Sequence, residues 1–155
     1  MTYHPTAEQV AVAWLKGVAG VSAANVGDTL PEDTSTWSSA GFARMTSVVG
    51  GTPGMYAPRR DSIVQIDCFA VNPSSQYPPW GKAGQLAQLI INDTYPSPVG
   101  TEGRRVVTAN LPSGFYGARV QTAYPMNEPR RTPADQGFFA RYTLEIALVW
   151  VEVPS

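Results

Sequence analysis

Asp61-Ser-Ile-Val-Gln-Ile-Asp-Cys-Phe-Ala70, a turn rich in Pro, Ser and Tyr, and then Trp80-Gly-Lys-Ala-Gly-Gln-Leu-Ala-Gln-Leu-Ile-Ile-Asn92 form the stretch whose reading decides the fold. In an extended chain successive side chains point to opposite faces, so Val64, Ile66, Cys68 and Ala70 share one face and Ile63, Gln65, Asp67 and Phe69 the other. The first face reads as core and the second as partly wet. Beyond the turn the period changes. Ala83, Leu86, Ala87, Ile90 and Ile91 recur at helical spacing and gather into one apolar stripe that must be buried against something. Strand, turn and helix supply packing surfaces and no spacing of catalytic or metal-binding residues.

Upstream, Thr6-Ala-Glu-Gln9 reads as a capping box that starts a helix. Ala7, Val10, Ala11, Trp14, Leu15 and Val18 form its stripe, with Gly17 or Gly20 as its end. A short β-like piece, Ala23 to Val26, leads through a polar loop to a strand over Phe42 to Val49. The connection Gly50 to Arg60 is far longer than the two to five residues usual in a hairpin and reads as a contact loop. Downstream, Arg104 to Leu111 and Gly117 to Tyr124 read as a hairpin turning at Pro112-Ser-Gly114. A proline-bearing excursion, Pro125 to Gly137, precedes the strongest strand pattern in the chain. There Phe138, Ala140, Tyr142, Leu144, Ile146, Leu148 and Trp150 alternate with Phe139, Arg141, Thr143, Glu145, Ala147, Val149 and Val151. The fold class predicted is therefore α+β in one domain spanning 1–155: a single largely antiparallel or mixed sheet, two helices packed on one face, and long β-hairpin loops.

The chain has 155 residues, 43% apolar and 15% charged, with a net charge of −1. That is enough chain to bury a core without staples. The near-neutral balance offers no electrostatic reason to seek nucleic acid or membrane. The single cysteine, Cys68, excludes an intramolecular disulfide and reads as a small core residue. No run approaches the length of a membrane helix, and the first residues lack the pattern of a signal peptide, so a cytoplasmic protein is expected.

His4 is the only histidine and stands in an N-terminal stretch that looks unanchored, which argues against a catalytic triad and, with one cysteine, against a zinc site. Gly50-Gly51-Thr52-Pro53-Gly54 lacks the Lys-Ser/Thr of a phosphate loop. No catalytic residue, cofactor or metal ligand is expected; an acid and base pair built on Asp67 and Glu145 is the least favoured alternative. Arginine greatly outnumbers lysine, and Arg59-Arg60, Arg104-Arg105 and Arg130-Arg131 occur as pairs in or beside loops, where guanidinium forks suit carboxylates across an interface. With Met55 and Tyr56 they are the candidate protein contacts. Arg44, Asp67, Arg119, Arg141 and Glu145 are the candidate charged face of the sheet, where opposite charges can pair across strands.

The order of a helix, Val26-Gly-Asp-Thr-Leu-Pro31, a strand, Gly50-Gly51, Arg60-Asp61 leading into Ile66-Asp67-Cys68-Phe69-Ala70, and an Ala/Leu-rich helix resembles the tail terminator proteins of long-tailed bacteriophages, the lambda-type tail terminator and tail completion family. The likeness is one of layout and covers most of Val10 to Asn92 plus the final strand. It implies a homo-hexameric ring that caps the tail tube, ends its polymerisation and joins the tail to the head. The implied partners are further copies of the chain, the tail tube protein and head-tail connector proteins, with DNA only in non-specific passage and no membrane. It also implies a place in the virion, at the head-proximal end of the tail. The alternatives are another head-tail joining or tail completion protein, or a small non-enzymatic module that binds a protein or peptide.

Overall fold

The computed structural model describes residues 2–38, 40–52, 59–72, 74, 77–132 and 139–153. A helix α1 (Ala7–Leu15) is followed by a 3-10 turn at Ala23–Asn25, a short strand β1 (Val26–Gly27), a second 3-10 turn at Thr34–Thr36, and strands β2 (Phe42–Thr52) and β3 (Arg59–Val71). Helix α2 (Trp80–Asp93), strand β4 (Arg105–Val106), a 3-10 turn at Thr108–Asn110, and strands β5 (Gly117–Pro125), β6 (Arg130–Thr132) and β7 (Phe139–Val153) complete the chain. The class is α+β. The sheet is mixed, with the order β1-β2-β3-β7-β5-β4 and β6 paired to β7. Only β1 runs parallel to its neighbour among these strands; β2, β3, β7, β5, β4 and β6 join through antiparallel ladders.

The capping box forms as read: the Gln9 amide donates to the Thr6 hydroxyl at 3.2 Å, and the Thr6 amide donates to Gln9 Oε1 at 2.9 Å. Two of the unpaired donors at the start of α1 are thereby satisfied. Along β3, Val64, Ile66, Cys68 and Ala70 are wholly buried. Val64, Ile66 and Cys68 belong to one apolar cluster with Val10, Trp14 and Leu15 of α1, Leu86, Ala87 and Ile90 of α2, and Leu144, Ile146, Leu148 and Trp150 of β7. Trp14 does more than fill space. Its indole Nε1 donates to the Gly103 carbonyl at 2.9 Å, which ties α1 to the turn after α2. Gly103 has φ +73°, and a Cβ there would run into Ala123, so the turn needs glycine at this position.

Several boundaries differ from those the pattern suggests. Ala23–Asn25 is a 3-10 turn and only Val26 of that piece is strand. Pairing between β2 and β3 runs on to Thr52 and Asp61, so the connection read as Gly50 to Arg60 shrinks to 53–58, which lies outside the described residues. Of Arg104 to Leu111, Arg105–Val106 alone is strand, and the ladder gives way to the 3-10 turn at Thr108–Asn110. Within the excursion Pro125 to Gly137, Arg130–Thr132 pairs with β7, while 133–137 and Phe138 are not among the described residues. Short runs of this kind are strands only because a neighbour offers an open edge, a property that periodicity cannot register.

Burial sets the expected cost of truncation. Ile66→Ala, inside the cluster, should lower the unfolding free energy by about 2–5 kcal/mol, whereas Val49→Ala, at a side chain 48% exposed, should change it by no more than about 0.5 kcal/mol. Urea unfolding of both variants beside the parent chain checks the contrast; equal losses would reject this core.

Candidate functional site

The face of the sheet that carries Gln65, Asp67 and Phe69 is where Arg44, Asp67, Arg141 and Glu145 of the predicted charged residues come together. Register sets this out: Arg44 lies opposite Asp67, and Asp67 opposite Thr143, with Phe42 and Arg141 flanking Phe69 one step further along. Asp67 is fully buried. Its carboxylate accepts from the Thr143 hydroxyl at 2.7 Å, from Arg141 Nη2 at 3.0 Å, weakly from Gln65 Nε2 at 3.4 Å, and from the Thr46 hydroxyl in a short hydrogen bond. A shift in register between Met45 and Ser47 leaves Thr46 as the extra residue of β2 and presents its hydroxyl to Asp67. Arg44 and Arg141 both place their guanidinium groups near the Phe69 ring, at 5.7 and 5.6 Å from its centroid, a geometry in which the ring face attracts cations. Burial on its own would raise the Asp67 pKa. The hydrogen bonds from Thr46, Thr143 and Arg141, together with the Arg141 charge, carry it below the ordinary value instead.

This end of the face is drier than the alternation suggests. Trp37, from the polar loop before β2, is wholly buried against Phe42, Phe69, Val71 and Phe139. It stacks on Phe139 with ring centroids 6.0 Å apart. A lone tryptophan in a polar loop was the available signal for this cover. Thr46 and Thr143, the two hydroxyls that hold Asp67, leave no mark of that role in the sequence, because each looks like ordinary strand composition.

Glu145 lies on the same face, opposite Gln65, and pairs with Arg130 at 3.5 Å without bonding Asp67. The remaining predicted residues fall farther away. Arg119 lies opposite Val151, whereas Asp67 lies opposite Thr143, so at strand spacing Arg119 is roughly 27 Å along the sheet from Asp67. Arg105 is not a free contact residue. Its Nη1 lies 2.6 Å from Asp93 Oδ2 and its Nη2 donates to the Trp14 carbonyl at 2.7 Å, with the guanidinium over the Trp14 ring. It clamps the ends of α1 and α2. Arg60 is similarly engaged, 3.0 Å from Glu152 and 5.0 Å from the Trp150 ring centroid. Arg59 faces Asp61 at 3.6 Å, Arg104 faces Glu102 at 3.2 Å, and Arg131 lies over the Trp80 ring. Met55 and Tyr56 lie outside the described residues.

His4 is anchored rather than loose. Its Nδ1 lies 2.8 Å from Glu152 Oε2, and the chain beside it is held by backbone bonds from the Tyr3 amide to the Gly114 carbonyl and from the Tyr116 amide to the Tyr3 carbonyl. Cys68 points into the core, where burial pushes its thiol pKa up and the Asp67 charge adds to the effect, so it stays a thiol. Asp67, saturated with donors and held ionised, is poorly placed to take a proton from a substrate. Among the described residues no three His, Cys, Asp or Glu side chains cluster as a metal site would require, and no helix is long and apolar enough to cross a membrane. No protein-family model matches the chain, and no curated protein matches it.

The depressed Asp67 pKa has a sign that can be tested. The folded state holds the carboxylate ionised to lower pH than the unfolded chain does, so its stabilisation is complete above about pH 4 and is lost as the pH falls through the folded pKa. Asp67→Asn should cost about 1–3 kcal/mol at pH 7, since the Arg141 charge loses its partner. It should also flatten the fall in stability below about pH 4. Denaturant unfolding from pH 7 to pH 2 checks this, and an acid-side slope unchanged by the substitution would rule Asp67 out as its source.

Proposed function

We propose that this chain is a virion structural protein, a tail terminator of a long-tailed bacteriophage. Six copies close into a ring on the finished tail tube, stop its polymerisation and present a docking surface to the head connector. The protein acts by geometry, without turnover or cofactor, at the head-proximal end of the tail after assembly in the host cytoplasm. The observation that carries this reading is the disposition of the sheet. The connection between β2 and β3 leaves the sheet where Arg59 meets Val151, while the connection between β6 and β7 leaves it where Val71 meets Phe139. The joins between β2 and β3 and between β6 and β7 therefore stand at opposite ends of one sheet, an arrangement suited to touching a tube on one side and a connector on the other. The layout that resembles the terminator family, from Val10 to Asn92 and in the last strand, gives the same reading. A net charge of −1 suits passage of DNA through a channel better than its capture.

A groove between α2 and the segment joining β5 to β6 favours a second reading, a non-enzymatic module that grips a peptide. Tyr95 and Met126 are exposed along it, and Gln88, Ile91 and Pro129 complete its walls. Negative-stain imaging of the chain mixed with tail tube protein separates the two readings. Sixfold rings at tube ends, with tubes of limited length, are the expected result; a chain that stays monomeric beside the tubes would reject the terminator reading in favour of the module. Gel shifts at physiological salt should show no tight, sequence-specific DNA complex.

A further inference from the structure

The two edges of the sheet carry opposite charge. β4 forms one edge and β1 the other. At the β4 edge Val106 is 52% exposed and lies opposite Arg119, and Arg104, Val120 and Gln121 complete a shallow depression around them. Arg105 is committed to Asp93 and Arg104 to Glu102, but Arg119 is exposed and forms no ion pair among the described residues. This edge offers an apolar side chain beside a guanidinium that lacks a carboxylate.

The opposite edge offers what the first one lacks. Glu8 and Asp28 are exposed and line one groove beside β1 with Val26 and Lys16, and the loop beyond carries exposed Glu32 and Asp33. Asp33 accepts hydrogen bonds from the Ser35 amide and hydroxyl within its own turn. Glu8, Asp28 and Glu32 form no ion pair among the described residues. Past the end of β1, which pairs only with Ala43 and Arg44, the outer side of β2 has no strand against it among the described residues, and Val48 and Val49 are exposed there.

We infer that the β4 edge of one copy docks on the β1–β2 edge of the next, with Arg119 facing Asp28 and Glu32 and Val106 packed against Val48 and Val49. The choice of a second copy as the occupant rests on the ring-forming function proposed above. Charge gives the direction. Two β4 edges would bring Arg119 against Arg119, and two β1 edges would bring carboxylates together, so like meeting like is penalised and the contact runs head to tail. A contact of that kind repeats from copy to copy until rotation closes it into a ring. The charges steer and orient, and the valines supply the apolar burial.

Charge reversal in the full-length chain tests the pairing. Arg119→Glu makes both edges acidic, and Asp28→Arg with Glu32→Arg makes both edges basic; circular dichroism melts confirm that each variant folds. Sedimentation velocity at low ionic strength should show the parent chain associating and each variant alone associating roughly tenfold more weakly or worse. An equimolar mixture of the two should regain association, because every edge again meets its opposite. A parent chain that stays monomeric, a variant that associates like the parent, or a mixture that fails to recover would each overturn the inference. The outcomes also part company with the ring. A sixfold ring indifferent to both reversals would keep the terminator reading and remove these edges, whereas open chains that obey the charge exchange would keep the edges and remove the ring.

Discussion

The ladder between β3 and β7 is the constraint on which the rest of this structure depends. All 13 residues of β3 pair with β7, from Arg59 opposite Val151 to Val71 opposite Phe139, without a shift in register. Because side chains alternate, this one alignment decides which residues enter the core and which reach the opposite face. A slip by one position would carry Asp67 into the apolar cluster and expel Ile66 or Cys68 from it. The cost of an unpaired carboxylate among aliphatic side chains makes that alternative prohibitive. By contrast, the ladders of β2 and β5 each contain register shifts, and irregularity is tolerable there because the central pair already defines both faces.

Asp67 sharpens the same selection from the other side. Buried charge is a weak source of net stability, since desolvation offsets much of the attraction, but its loss of partners is severe. The carboxylate is satisfied only when Thr46 on β2, Arg141 and Thr143 on β7, and Gln65 on its own strand all arrive together. Three adjacent strands are thus aligned by one side chain. Phe69 extends the arrangement by receiving Arg44 and Arg141 near its ring, and Trp37 seals the end by stacking on Phe139. The Arg105 clamp does for the helices what Asp67 does for the strands, joining Asp93 at the end of α2 to the Trp14 carbonyl near the end of α1.

Legibility in the sequence followed the length of each periodic run. The capping box at Thr6, the stripe from Ala83 to Ile91, and the alternation in β3 and β7 each repeat a local physical pattern several times, so their types can be read without tertiary information. β1, β4 and β6, of two or three residues, owe their existence to a neighbour's open edge and leave no such trace. The charged face was partly legible. Alternation put Arg44, Asp67 and Arg141 together, but distance along a strand separated Arg119 from them, and composition could not say that Arg105 turns inward. That depends on where Gly17 and Trp14 come to lie against it, which is a fact of packing.

The bonding of the polar groups at the centre of the sheet bears on where a partner can act. Asp67 is buried and already accepts four hydrogen bonds, and Arg105 and Arg60 already hold carboxylates, so an incoming group there would have to disturb internal bonds before gaining its own, even though Arg105 Nε and Arg141 Nε are buried without a partner. The side chains that can gain without that loss lie at the perimeter: Arg119 and Val106 at one edge, Glu8, Asp28, Glu32, Val48 and Val49 at the other, and Tyr95 and Met126 beside α2. Exposed apolar side chains flanked by charge resemble the rim and core of an interface more closely than they resemble a solvated surface. If the chain assembles as proposed, specificity lies at the perimeter, and the interior holds that perimeter at a set spacing.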